Sequence, residues 1–529
     1  MRIGALRKLL LACVLLGCAP PKVVDSKAPL ACLVLDAVHV CPDAIRETNH
    51  TVTLEGETLV STFGQGARRA LGPPGPITLR TNAPIVDAIF QLALDDIALL
   101  RREETRDGAT VRRLNAGELW SQAWTRDTSF AIDLGLAFVL PEETRASLDA
   151  SVERRPGEPV RALQDKTAHF KGFPNLSDAI VWSVGAAEWR KVHGGDLTED
   201  YAVIAGTLAR GEAAVRDPRD GLFRGVASFM ESHSAYPARF AHPTGGSNAR
   251  IGETKALSTN VLYARGYADA AWMARALGRT DEASAWQRKG DGLASAIDRA
   301  FRTSERSFGY FVDENGVLEP RFEALGTFLY ARHHLARDPG ALLDASPVAL
   351  HGTPCLWPPY DAWVKNEWVT RSTADYYHNA MVWPFVEAYA GWLAAREGRA
   401  VRFERSLGFL TELAARDLTH HELHHWRSGR PGGSRSQLWS AAGYLGLFLR
   451  GVLGLEPTST ELHVVPRVPA ILGGRVELRG IRYRAATLDV AVRGTGRDVE
   501  RVTIDGVVRD RATISVHATG HHVVAIDLR

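Results

Sequence analysis

Four separated stretches of the chain set acidic side chains or hydrogen-bonding groups beside aromatic ones. The first is Trp124-Thr125-Arg126-Asp127. A guanidinium fork beside a carboxylate offers several donors next to acceptor oxygens, a pairing that can clamp adjacent hydroxyl groups. The plainer reading is an Asp capping a helix with a surface Arg beside it. The second stretch is Phe229-Met230-Glu231-Ser232-His233-Ser234-Ala235-Tyr236-Pro237, a loop after the turn signal Asp220-Gly221. A carboxyl group held among Phe, Met, Tyr and Pro is desolvated, which raises its pKa as a general acid requires. Facing water, it would be an ordinary loop Glu. The third is Tyr377-His378-Asn379-Ala380-Met381-Val382-Trp383-Pro384-Phe385. Proline is favoured at the first helical position, so His378, Asn379 and Trp383 lie in the loop leading into a helix. Such groups at the mouth of a core helix suit sugar binding, and a capped core helix with a stacked Trp fits them equally well.

The fourth stretch is Thr419-His420-His421-Glu422-Leu423-His424-His425-Trp426. Its text matches the zinc-protease pattern H-E-x-x-H, which needs a helix to put both His on one face. Gly429, Pro431, Gly432 and Gly433 break that helix, and no Asp or Glu occurs between Glu422 and Glu456 to complete the site. Ser428 stands where the longer zinc motif has Gly. In a chain with 18 His a chance match is unsurprising, and Glu422 reads better as a loop carboxylate beside stacking groups.

These stretches must be held by helices, whose starts and stops are legible. Pro84 opens a helix through Leu92 and Ile97, and Asp127-Thr128 cap one through Leu136. Ser177 caps one through Ile180, Trp182 and Val184 that Gly194-Gly195 stops, and Thr198-Glu199-Asp200 begin the next. Ser258-Thr259-Asn260 precede a helix ending at Leu277-Gly278, and Asp281-Glu282 start its partner. Further helices begin near Glu323, Pro384, Arg402 and Gln437. Allowing for short ones, this predicts about a dozen helices in hairpin pairs about 60 residues apart, with no solenoid repeat. The segment Leu438 to Leu453 is apolar nearly all round and should be buried on every side, whereas Asp281 to Arg299 carries charge on one face. Alternating buried and half-exposed helices fit a double ring, with the inner N-termini opening at one mouth.

Residues 19–82 read as a linker and a small β region, and residues 455–529 as short strands, with Asp505-Gly506 as a hairpin turn. The 529 residues suffice for two or three domains. A net charge of +2, with 45% apolar and 23% charged residues, is that of a globular protein with no electrostatic signature for nucleic acid. Arg2, Arg7 and Lys8 precede the short apolar run Leu9 to Leu16, a targeting segment too short to span a bilayer. Of the cysteines beyond residue 18, Cys32 and Cys41 could close a small loop, leaving Cys355 as a buried thiol.

Two resemblances follow from these residues. Leu15-Leu16-Gly17-Cys18 resembles a bacterial lipobox, which implies cleavage before Cys18 and a lipid on its thiol. Because Ala19 is not the Asp of inner-membrane retention, the implied place is the outer membrane or periplasm, with membrane contact only through the anchor. An ordinary signal peptide with an incidental Cys is the alternative.

The set Trp124-Thr125-Arg126-Asp127, Tyr377-His378-Asn379 with Trp383-Pro384, and Glu422 followed by Leu438-Trp439-Ser440-Ala441-Ala442 resembles the six-hairpin (α/α)6 glycosidases. The resemblance is to the α-glucosidase I and mannosylglycerate hydrolase group, with glucoamylases and trehalases more distant, and it covers residues 83–454. It implies a mainly α fold: an (α/α)6 toroid of six helical hairpins, here with an N-terminal β region and a C-terminal β-sandwich. It further implies an inverting two-carboxylate mechanism on an α-linked gluco- or manno-configured oligosaccharide, with no metal or organic cofactor. By position, Glu422 matches the general base, and Arg126 and Asp127 match the pair holding the non-reducing sugar. His378 and Asn379 become substrate holders, and Trp124, Trp182, Trp383 and Trp439 candidate sugar platforms or core residues. The group's general acid is an Asp in a Ser-Gly-x-Asp segment that this chain lacks. Glu231 is the carboxylate of the corresponding loop, and Asp178, at the start of its helix, is the second candidate. An inverting pair is separated by roughly 6.5–9.5 Å to admit a water. An α/α-toroid polysaccharide lyase, and a non-catalytic surface glycan-binding lipoprotein, are the rival readings. The sugar, its linkage and the oligomeric state stay open.

Overall fold

The computed structural model describes residues 32–529 apart from 107, 154–160, 163–175, 231–234, 241–248, 334, 362–376 and 380. Among these, thirteen helices and many strands occur. The helices are α1 (Pro84–Leu99), α2 (Thr125–Asp133), α3 (Pro141–Ala150), α4 (Leu176–His193), α5 (Thr198–Ala214), the single turn α6 (Ala249–Gly252), α7 (Leu257–Ala276), α8 (Thr280–Phe301), α9 (Ala324–Arg332), α10 (Pro339–Asp344), α11 (Pro384–Arg396), α12 (Ala400–Asp417) and α13 (Leu438–Gly446). A π-helical turn, Leu447–Val452, continues α13. Pro84, Pro141, Pro339 and Pro384 each open a helix, where a missing N–H loses nothing. Two of these helices, α3 and α10, escaped the sequence reading. With 10 and 6 residues they are too short for an apolar period to stand out. Asp127 proves to lie in the first turn of α2 rather than at its cap, because the helix begins at Thr125.

The packing is cyclic. Contacts run from α2 to α4, α7, α9, α11 and α13, and back to α2. Each of these inner helices is followed in the chain by a partner packed on it, namely α3, α5, α8, α10 and α12, and α1 serves α13. Burial follows the same division. In α11 every residue from Pro384 to Ala395 is buried, and so is all of α13, whereas α8 buries only Ala283, Leu293, Ala296, Ile297 and Phe301.

The inner helices run the same way. Their N-termini meet through Gln437 and Asp127, through Trp383 and Trp439, and through Glu323 and the backbone of Ser258. Towards their C-terminal ends a charged cluster fills the axis. Tyr389 donates to Asp133 at 2.7 Å, Arg450 pairs with Glu188, and Arg265 pairs with Asp269 at 2.8 Å, with Lys191 3.7 Å from Asp269.

Strands flank the helices at both chain ends. Residues Leu33 to Ala70 form a six-stranded antiparallel meander that packs on α12 and α1. Cys32 and Cys41 are joined by a disulfide, and Cys355 is a buried free thiol. The C-terminal residues build a three-stranded and a six-stranded sheet. Thr78–Thr81, which precedes α1, pairs with Arg475–Tyr483 as an edge strand of the larger sheet. Asp505 and Gly506 make its hairpin turn, with φ of 52° and 78°, the left-handed pair that the strand twist requires.

Glu323 caps α9. Its carboxyl accepts from the Gly326 N–H at 2.9 Å and is wholly buried, and that burial pushes its pKa up to about 8. The folded protein therefore keeps a proton that the unfolded chain releases at about pH 4.3. The stability this confers is complete below that pH and declines as pH climbs towards the folded value. Glu323→Gln should flatten this decline and exceed the parent in urea stability by on the order of 3 kcal/mol at about pH 7. Parallel stability profiles between about pH 5 and about pH 8 would show that the carboxyl is not the titrating group.

Candidate active site

Glu422 belongs to the loop between α12 and α13. The loop leaves α12 through Leu418 in a left-handed conformation, φ 52°, which stops the helix. It then forms a hairpin, Leu423–His425 against Pro431–Gly432, while Met381–Val382 pairs on the other side of Leu423–His425. The loops leading into α11 and α13 are thus one small sheet. The H-E-x-x-H text is extended rather than helical, so its His residues share no helix face. The His424 ring meets the Gly429 carbonyl at 3.2 Å instead. Among the described residues no group of three or more His, Cys, Asp or Glu is placed to hold a metal ion.

Three donors hold the Glu422 carboxylate. Oε2 accepts from the Trp120 indole N–H at 2.9 Å and from the Ser434 backbone N–H at 2.8 Å, and Oε1 accepts from the Tyr377 hydroxyl at 2.8 Å. The group is 2% exposed. Desolvation pushes its pKa above the usual Glu range, and the three hydrogen bonds oppose that rise. Gly433, at φ 71°, is required beside it. A Cβ there would lie 2.4 Å from Oε2, and the backbone conformation itself favours glycine.

The Trp124–Asp127 segment is tied to the same loop. The Gln437 side-chain amide donates to Asp127 Oδ1 at 2.7 Å, Leu438 N–H donates to Ala116 O at 2.8 Å, and Leu119 N–H donates to Ser434 Oγ at 3.0 Å. Arg126 and Asp127 are buried in the first turn of α2, with the Arg126 guanidinium 5.3 Å from the Trp124 ring centre. Trp120 meets Trp124 edge-on at 6.2 Å.

The aromatic wall comes from α11 and α13. His378 stacks on Trp383 at 4.9 Å, and Phe385 stacks on Trp439 at 4.3 Å. Phe229 presents its edge to all four rings, which brings the second sequence stretch to the third. Among the described residues the buried Trp439 indole N–H meets no hydrogen-bond partner.

Glu422, Trp124, Arg126, Asp127, His378, Trp383 and Trp439 therefore converge at the N-terminal ends of the inner helices. Asn379 and Trp182 have structural partners. Asn379 is fully buried, and its amide binds both the N–H and the carbonyl of Tyr360, at 2.8 and 2.9 Å. Trp182 donates to the Leu148 carbonyl at 3.0 Å and lines a different groove of about 870 Å³, between α3, α5 and the C-terminal sheet. In that groove Asp200 is paired with both Arg145 and Arg190. Glu231, Cys18 and the Asp178 side chain lie outside the described residues. The sequence reading missed Trp120, Gly433, Ser434 and Gln437. Their only local signals were a Trp four positions before Trp124 and a glycine pair after Pro431.

Trp120→Phe removes one donor from the ionised Glu422 and should raise its pKa further. The readout is the protonated-carboxyl infrared band that Glu422→Gln abolishes. An unshifted band would mean that the indole does not bear on the carboxylate.

No protein-family model and no curated protein matches the sequence. Solved structures do match. A sialidase superposes with a TM-score of 0.59 at 14% identity, over 82% of this chain and 40% of its own. A GH78 family rhamnosidase of Bacillus sp. GL1 gives 0.52 at 13% identity, over 91% of this chain and 46% of its own. A GH63 mannosylglycerate hydrolase from Thermus thermophilus gives 0.47 at 15% identity, over 68% of this chain and 100% of its own. The chain spans less than half the length of the first two. The structural neighbours are glycoside hydrolases, in line with the resemblance read from the sequence motifs. At such identities the likeness is one of fold.

Proposed function

We propose that the chain is a glycoside hydrolase on a six-hairpin (α/α)6 toroid, residues 83–454, with a C-terminal β-sandwich. It cleaves an α-linked gluco- or manno-configured oligosaccharide with inversion at the anomeric carbon. The observation that carries this reading is the Glu422 carboxylate, buried at the inner-helix mouth and held by Trp120, Ser434 and Tyr377. Its environment suits a general base: dry enough to raise its basicity, and fixed enough to aim one oxygen at a water.

Glu231 is the partner acid. It lies in the loop that corresponds to the one carrying the Ser-Gly-x-Asp acid of the α-glucosidase I group. In the reaction, protonated Glu231 donates to the glycosidic oxygen as the bond to the anomeric carbon breaks. Ionised Glu422 takes a proton from the water that attacks that carbon from the opposite face. The leaving alcohol departs neutral, the new hemiacetal has the inverted anomer, and solvent returns each carboxyl to its starting state. Arg126 and Asp127 hold hydroxyls of the non-reducing sugar, and Trp439 and Phe229 supply apolar surface against the ring. The Cys18 thiol carries a lipid that anchors the enzyme in the bacterial envelope, which metabolic labelling with a fatty-acid probe would show and Cys18→Ala would abolish.

The test is a screen of α-glucosides and α-mannosides with the product anomer followed by NMR. Inverted product is expected, and Glu422→Gln should lower kcat by about 10²–10⁴. Because the Glu422 pKa is raised, kcat/KM should fall on the acid side at a pH above the ordinary carboxylate range. A retained anomer, or full activity in Glu422→Gln, would overturn the mechanism.

A further inference from the structure

Asp96 lies late in α1, fully buried, and no step above uses it. Its carboxylate gathers both ends of the loop that carries Glu422. Oδ2 accepts from the His420 backbone N–H at 2.8 Å and meets His420 Nδ1 at 2.9 Å. The Thr419 hydroxyl is 3.2 Å from both oxygens, and the Ser436 hydroxyl donates to Oδ1 at 3.1 Å. Arg69, on the last strand of the N-terminal sheet, reaches Oδ1 at 2.8 Å and also donates to the Leu418 carbonyl at 2.8 Å.

The backbone at these two ends needs such an anchor. Leu418 at φ 52° and Ser436 at φ 45° are both left-handed, a conformation that side chains disfavour and that persists only where the surroundings enforce it. Between them the chain must deliver Glu422 to Trp120 and Tyr377, and directly after Ser436 it must deliver Gln437 to Asp127.

We infer that Asp96 is a positioning residue for Glu422: one carboxylate fixes the strained start and finish of the loop, and Arg69 couples that point to the N-terminal sheet. The inference rests on the reading of Glu422 as the general base.

The experiment has two arms. In hydrogen–deuterium exchange of the full chain, Asp96→Asn should speed exchange across 418–437 by roughly tenfold while the α7–α8 hairpin keeps its protection. An amide cannot accept from every donor that the carboxylate serves, because its nitrogen itself donates. Adding Ser436→Gly should restore much of the protection, since glycine adopts that φ unaided. A loss of packing within α1 would not be mended by glycine 340 positions away. Arg69→Gln, which leaves the carboxylate in place, should give a smaller change in the same segment, and it decides the matter if Asp96→Asn does not fold.

The second arm uses α-D-glucosyl and α-D-mannosyl fluoride, whose leaving group needs no acid, so that turnover reports the base. Asp96→Asn should lower kcat about tenfold or more with KM little changed, and Ser436→Gly should recover part of it. Unchanged exchange in 418–437, a global rather than local loss of protection in both single variants, or a failed glycine rescue would overturn the inference. A parent protein inert towards both fluorides would count against the glycosidase reading, and the exchange arm would still judge Asp96.

Discussion

The inner helices among the described residues point the same way and impose an electrical polarity on this protein, and much of its chemistry follows from it. Their N-termini gather unsatisfied N–H groups and partial positive charge at one end, and their C-termini gather carbonyls at the other. The side chains divide accordingly. Asp127 and Glu387 are buried in the first turns of α2 and α11. Lys191, Arg265, Arg332 and Arg450 crowd the opposite end, where Asp133, Glu188 and Asp269 only partly balance them. The helix ends alone could not hold these charges. A helix terminus is worth at most about 2 kcal/mol, whereas burying an ion costs several. Direct partners decide the matter: Arg402, Ser406 and the Thr353 N–H on Glu387, and Gln437 on Asp127. Polarity chooses which sign belongs at which end, and pairing makes it tolerable.

The mouth is then the natural place for carboxylate chemistry, but helices cannot finish it. No helix of the ring carries Glu422. It arrives on an irregular loop, and a strand shared between two loops, together with Gly433 and the segment 115–124, encloses it. Trp120, Tyr377 and the loop's own backbone at Ser434 close around its carboxylate. The result is a carboxyl group pulled two ways, towards protonation by burial and towards ionisation by three donors.

What the sequence disclosed depended on how far each determinant reaches. Pro84, Pro384, Glu323 and Gln437 mark helix starts because the physics of a first turn is local. Glu422 could be recognised as a loop carboxylate because Gly429, Pro431 and Gly433 forbid a helix nearby. Trp124, Arg126 and Asp127 stood out as one run. The partners that define the site are another matter. Trp120 meets Glu422 across 302 positions and Gln437 meets Asp127 across 310, and nothing near either residue announces the match. Asp96 is a helix-interior acid in sequence and a five-donor acceptor in space. Asn379 and Trp182 carry side chains suited to sugars, yet their partners are backbone carbonyls and amides of the fold, a distinction that residue type alone cannot make.

The way the ring closes bears on how the protein is made. Among the described helices α1 leaves the ribosome first and has α13, the last of them, as its neighbour, and Thr78–Thr81 waits for Arg475–Tyr483. Until the last hairpin emerges, the growing chain holds a curved, unclosed stack with apolar flanks at both ends, the kind of surface that aggregates or recruits chaperones. A chain sent across a membrane would meet this problem on the far side, after its early helices had already been delivered. Circularly permuted forms that begin at another hairpin would face the same wait, moved to a different seam.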